Sequence, residues 1–239
     1  MAQPLFISVV LFFASFTLGT AGFGFALVSM PLISLVASPK FAVPFVMLYS
    51  FGINCFLFLR FKKYIDRQKL WLLMVGILPG IPLGIYFLKN YEDVMIKKIV
   101  GGVVIVFALW NLIVRAERRY TLSRTWAYLA GFAGGILQGG TAMGGPPVLM
   151  YLTFNRWEKN LTRATLQSFF CVTGGLSLFG LIVTRVLTLS VLHSNLLYLP
   201  IVIMGGATGY FLFKRLSSRL FNRILLSLLL ATGLLLIFA

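Results

Sequence analysis

Apolar stretches dominate the chain, each bounded by charged or turn-forming residues. Eight are long enough to approach the roughly 20 residues that cross about 30 Å of hydrocarbon as a helix. They run Pro4 to Ala37, Phe41 to Leu59, Leu70 to Leu88, Val94 to Val114, Thr125 to Asn155, Ala164 to Thr184, Val191 to Phe213 and Leu220 to Phe238. This pattern predicts an all-α integral membrane protein with eight hydrophobic segments.

Two segments are too long for one crossing. At 1.5 Å per residue, Pro4 to Ala37 would extend about 51 Å and Thr125 to Asn155 about 47 Å. Each also carries helix-breaking residues at its middle: Gly22-Phe23-Gly24 in the first, and Gly139-Gly140-Thr141-Ala142-Met143-Gly144-Gly145-Pro146-Pro147 in the fifth. Proline lacks the backbone donor and glycine weakens a helix, so both segments read as broken re-entrant hairpins.

The charges test that reading. The chain has 21 Lys and Arg against 5 Asp and Glu, a net charge of +16. If all eight segments crossed, the basic residues would divide evenly, against the positive-inside rule. With segments one and five turning back, the groups Arg60 to Lys69, Arg115 to Arg124, Arg156 to Arg163 and Lys214 to Arg223 share one side. Only Lys40, Lys89, Lys97, Lys98 and Arg185 remain opposite, which places both termini outside. No long polar stretch presents a basic face, so the positive charge does not predict nucleic acid as a partner.

One hairpin plus three crossings per half makes an odd number, so the second half would lie inverted relative to the first, a common transporter plan. The division expected is residues 1–120 as a first membrane repeat and 121–239 as a second. Gly80, Gly84 and Lys89 align with Gly205, Gly209 and Lys214 at an offset of 125, and Gly24 aligns with Gly144 at 120.

The chemistry on offer is sparse. His193, Cys55 and Cys171 cannot build an ordinary zinc site, and no Walker-type loop is present. The start, Met1-Ala2-Gln3-Pro4, lacks a basic n-region, so the apolar run after it reads as retained. Asp66, Glu92, Asp93, Glu117 and Glu158 all lie in loops or at segment ends, leaving neutral groups such as Ser50, Asn54, Asn111, Gln138, Thr165 and Gln167 in the helix middles. Where a helix breaks inside a membrane, backbone N–H groups and the positive end of the next half-helix attract an anion. Gly22, Phe23, Gly24, Gln138, Thr141, Met143, Gly144, Gly145, Pro146, Arg163, Thr165 and Gln167 are therefore the candidate substrate-binding set. Gly76, Gly80, Gly84, Gly205 and Gly209 read instead as helix-packing positions. His193 reads as interfacial, Arg163 as either an anion-attracting group or an interface anchor, and the two cysteines as separate small hydrophobes.

The run Gly19-Thr20-Ala21-Gly22-Phe23-Gly24-Phe25-Ala26-Leu27-Val28-Ser29-Met30-Pro31 resembles the first glycine-rich motif of the sulfite exporter TauE/SafE family. Gly140-Thr141-Ala142-Met143-Gly144-Gly145-Pro146-Pro147-Val148-Leu149 resembles its second, and Arg163-Ala164-Thr165-Leu166 the short motif that follows. The resemblance implies a transporter of sulfite, sulfonates or other organic anions, and it carries family motif positions onto Gly22, Gly24, Gly144, Gly145 and Pro146. Phe25, Ala26 and Ala142 depart from it, standing where members often have glycine.

The expectation is a secondary transporter or uniporter, not an enzyme, moving a small sulfur-containing or organic anion out across the cell (inner) membrane. It has no cofactor or metal, and its partners are the anion and the lipid bilayer, with a homo-oligomer left open. The rival readings are a membrane thiol-redox relay through Cys55 and Cys171, and a passive anion channel.

Overall fold

A computed structural model describes residues 2–113, 122–155, 159–212 and 218–238. These form ten α-helices: α1 (Ala2–Ala21), α2 (Phe25–Val36), α3 (Pro39–Phe61), α4 (Arg67–Asn90), α5 (Asp93–Ile113), α6 (Arg124–Thr141), α7 (Gly145–Phe154), α8 (Lys159–Val183), α9 (Leu189–Leu212) and α10 (Ser218–Phe238). A single 3-10 turn, Lys62–Tyr64, follows α3. Among the described residues, six helical stretches are long and apolar enough to cross a membrane: Gln3–Thr20, Pro39–Tyr64, Leu70–Asn90, Asp93–Ile113, Leu161–Val183 and Leu189–Leu212.

The first and fifth hydrophobic segments are each two helices, parted at the glycine-rich positions. In both, a long arm (20 residues in α1, 18 in α6) precedes a short one (12 in α2, 10 in α7). The arms fold back on each other. Gln3 near the start of α1 donates its side-chain amide to the Val36 carbonyl at the end of α2, at 2.5 Å. In the second pair, a Cβ built on Gly134 would lie 3.1 Å from Val148 Cγ2 and 2.9 Å from the Gly144 carbonyl oxygen. Of the two long arms, α1 holds a stretch, Gln3–Thr20, long and apolar enough to cross a membrane.

The chain divides into two compact units that interleave along the sequence. The first comprises Met1–Val46, Glu92–Val114 and Leu189–Ala239, and the second Met47–Tyr91 and Arg115–Thr188. Each unit therefore contains one broken segment and draws on both halves of the sequence. In the first, α1 packs on α9 and α5 on α10; in the second, α6 packs on α4 and α8 joins them.

Glycine makes the principal contacts. A Cβ on Gly80 or Gly84 would run into the carbonyl oxygens of Phe132 and Ile136, and one on Gly139 into that of Ile81. The first unit repeats this arrangement: Gly205 and Gly209 abut the carbonyls of Phe12 and Phe16, and Gly19 that of Gly206. Residues of α4 and α9 correspond at an offset of 125, those of α1 and α6 at 120, and all three contacts match position for position. The packing role expected for Gly80, Gly84, Gly205 and Gly209 is therefore seen directly. Gly76 behaves likewise, against Tyr128 and Phe132.

Among the described acids, Asp66 accepts the Gln68 N–H at 3.1 Å at the start of α4, and Glu92 and Asp93 open α5. Negative charge at a helix start is favourable. Glu117 and Glu158 lie outside the described residues, as do most of the basic groups at 115–121 and 213–217.

Gly80→Ala and Gly205→Ala should each destabilise the protein by about 1–3 kcal/mol through overpacking. Gly102 and Gly206 have no atom within 4 Å of a built Cβ, so alanine there should be neutral or slightly stabilising. Thermal unfolding in detergent checks both pairs, and equal effects at all four positions would contradict the contact scheme.

Candidate functional site

The break in the first unit is built on backbone that only glycine adopts readily. Gly22 and Gly24 have φ of +80° and +101°, in the left-handed region. Gly22 N–H still bonds to the Leu18 carbonyl (2.8 Å) and Val28 N–H to Gly24 (3.1 Å), so the disruption is confined to about one turn. Gly24, the N-cap of α2, gives that helix no side-chain cap. The positive end of the helix and the N–H groups of its first turn are thus left to other acceptors. A Cβ on Gly24 would find only Thr17 Cγ2, at 3.4 Å, so backbone conformation and not space dictates glycine here. Gly22, Phe23 and Gly24 are half-buried.

The break in the second unit is constructed differently. Ala142 takes the left-handed turn with φ +58° and sends its N–H to the Gln138 carbonyl at 3.1 Å, while Met143 N–H reaches Leu137 at 3.3 Å. Gly144 N–H donates to Gln138 Oε1 at 3.0 Å. Pro146 and Pro147 have no N–H. The sequence expectation of many backbone donors at this break is thereby reduced to Gly145 and Val148. Gly144 is packed tightly: a Cβ would stand 2.6 Å from the Gly134 carbonyl and 2.8 Å from Gln138 Oε1. Its replacement by a larger residue would disrupt packing whether or not an anion binds.

Gln138 thereby becomes informative. Because an N–H must face an acceptor, the Gly144 bond fixes the amide with its oxygen toward the break and its NH2 turned the other way. Gln138 is 2 % exposed, and Thr141, Met143, Gly145 and Pro146 around it are buried.

Helix α8 supplies the remaining candidates. The Phe169 ring would meet a Cβ on Gly134 at 3.1 Å and the Phe170 ring one on Gly145 at 2.9 Å, which sets this helix beside the hairpin. Thr165 lies one turn before Phe169, on the same helix face. Most hydroxyls in these helices satisfy themselves on the carbonyl four residues back: Thr141 on Leu137 (2.7 Å), Ser168 on Ala164 (2.7 Å), Thr173 on Phe169 (2.7 Å). Thr165 does not. Its hydroxyl is fully buried and has no hydrogen-bond partner among the described residues. Gln167 is also buried, and Arg163 is half-buried in the second turn of α8.

The second-unit candidates Gln138, Thr141 and Met143 to Pro146 thus gather in one hairpin beside α8, whereas Gly22 to Gly24 belong to the first unit. His193 is exposed near the start of α9. The cysteines depart from expectation. Cys55 on α3 and Cys171 on α8 are half-exposed neighbours with their sulfurs 3.1 Å apart. Separation of 116 residues concealed this from the sequence, since nothing in periodicity reports which helices pack.

The sulfite exporter TauE/SafE family model matches residues 7–236, nearly the full chain. The chain belongs to this family. Among curated proteins and among solved structures, no match to the chain is found. Family and helix content together make this TauE/SafE protein a multi-pass membrane protein of a transporter family.

Ala142, one of the three positions where the resemblance led to an expectation of glycine, holds a conformation that costs an L-residue about 1–2 kcal/mol. Ala142→Gly should raise stability by about 1 kcal/mol once the greater freedom of the unfolded glycine chain is subtracted. A lowered unfolding temperature in detergent would contradict the left-handed turn.

Proposed function

We propose that the protein exports a small oxyanion of the sulfite or sulfonate class across the cell membrane, holding it with neutral hydrogen-bond donors. Alternating access follows from movement within a transporter built as two inverted repeats, residues 1–120 and 121–239. The matched glycine contacts of α1 on α9 and α6 on α4 support the repeat, and the folded-back arms support the two re-entrant segments. In this topology the basic groups at 60–69, 115–124, 156–163 and 214–223 face the cytoplasm of the inner membrane.

The observation that carries the site is the buried hydroxyl of Thr165, without a hydrogen-bond partner among the described residues and one turn before Phe169, whose ring meets the second hairpin. An unsatisfied buried donor costs about 1–3 kcal/mol, a cost that a bound anion would remove. The Gln138 amide NH2, oriented by Gly144, is the second donor. Gly145 N–H is a third. Arg163 draws the anion toward the cytoplasmic end of α8.

Thr165→Val separates ligand binding from structural bonding. Loss of a hydrogen bond to a charged group, about 1.5–3 kcal/mol, should weaken apparent affinity roughly tenfold or more. The unliganded protein should unfold at the same temperature or higher, because an unsatisfied group is gone. Counterflow of labelled sulfite in proteoliposomes, competed by sulfate, sulfonates and carboxylates, measures the affinity. Unchanged affinity would remove Thr165 from the site, and absence of counterflow would favour a channel.

No described carboxylate lies in a helix middle and His193 is exposed, so export needs no internal proton carrier. An inside-negative potential favours loss of one negative charge by about 2.3 kcal/mol per 100 mV, nearly fiftyfold at equilibrium. Efflux should therefore rise with imposed inside-negative potential and persist in His193→Ala. Strict dependence on a pH gradient at zero potential, lost in that variant, would refute this energy source.

A further inference from the structure

We propose that Cys55 and Cys171 form a reversible dithiol–disulfide pair that ties α3 to α8 when a peroxide oxidises it. The two helices meet in the second unit at two neighbouring points, with their chains running in opposite directions. A Cβ on Gly174 would lie 3.1 Å from the Phe51 ring, and one turn further along α3 the sulfurs of Cys55 and Cys171 stand 3.1 Å apart. Phe51 leads to Cys55 in one direction as Gly174 leads back to Cys171 in the other, so helix packing holds both thiols in register. A disulfide needs its sulfurs at about 2.05 Å, and the remaining approach is about 1 Å.

The two cysteines are the only ones in the chain, and both are half-exposed. Their position within apolar helices selects the oxidant. Hydrogen peroxide is small and uncharged and reaches such a site, whereas a charged disulfide such as oxidised glutathione does not. One sulfur attacks a peroxide oxygen, the O–O bond breaks, and a sulfenic acid and one water form. The second sulfur then attacks the sulfenic sulfur. The S–S bond forms, the S–O bond breaks and a second water leaves, carrying away the second thiol proton. Two electrons pass from the two thiols to one peroxide, and a membrane-permeant dithiol reverses the change by exchange.

This differs from an electron relay, because no partner receives the electrons and the product is a crosslink within the chain. It is also independent of which anion is carried. The tether would fix α3 against the helix that carries Thr165, six residues before Cys171.

The test uses the full-length protein in membranes, treated with hydrogen peroxide or left untreated. A membrane-permeant maleimide then blocks remaining thiols, and intact mass is read. Untreated protein should carry two adducts. Oxidised monomer should carry none and weigh two hydrogens less than untreated, unlabelled protein, and a permeant dithiol given before the maleimide should restore both adducts. Cys55→Ser should retain its single thiol under peroxide doses that close the wild-type pair. The proposal fails if both wild-type thiols remain alkylatable, if both gain oxygen without joining, or if the bond formed links two chains.

Discussion

Close backbone contact between helices is the constraint on which this architecture rests. In lipid, burying apolar side chains gives little net drive for helix association, because the surrounding tails are equally apolar. Association then depends on van der Waals contact at short range, which requires that nothing larger than hydrogen project from the facing positions. Gly76, Gly80 and Gly84 of α4 interlock with the backbone of α6 on these terms, and Gly205 and Gly209 of α9 with that of α1. Any Cβ at these places would overlap a carbonyl oxygen.

The same contacts prepare the breaks. Gly19 and Gly139 each lie two residues before the end of the long arm, and each is held against the opposing helix, Gly19 by Gly206 and Gly139 by Ile81. The chain therefore reaches each turn from a fixed point. A donor group that must meet an anion without a compensating positive side chain gains most when its position is set beforehand, since little ordering remains to oppose binding.

Within this common plan the two breaks have diverged. The first uses two left-handed glycines and starts α2 without a side-chain cap. The second uses one left-handed alanine, ties Gly144 to Gln138, and opens α7 with two prolines that carry no donor. In the site proposed above, side-chain donors from Gln138 and Thr165 belong to the second break. The matching sequence positions of the two breaks concealed their difference, because a glycine-rich motif marks where a helix stops and not which of its N–H groups are already occupied.

Long apolar runs, interrupted by Gly22-Phe23-Gly24 and by the 139–147 stretch, were enough to establish a helical membrane protein with two broken segments, and the motifs around those breaks pointed to the family. Those features are local: hydrophobic length, proline and glycine act on the turn in which they stand. Which helices pack together was not local. The interleaved units, the seating of α6 on α4 and α1 on α9, the unpartnered hydroxyl of Thr165, and the meeting of Cys55 with Cys171 all depend on contacts between residues far apart in the chain. Hydrophobic periodicity states that a helix face will be covered, but in a chain apolar on nearly every face it carries no address for the partner, and only the tertiary fit of glycine against backbone supplied one.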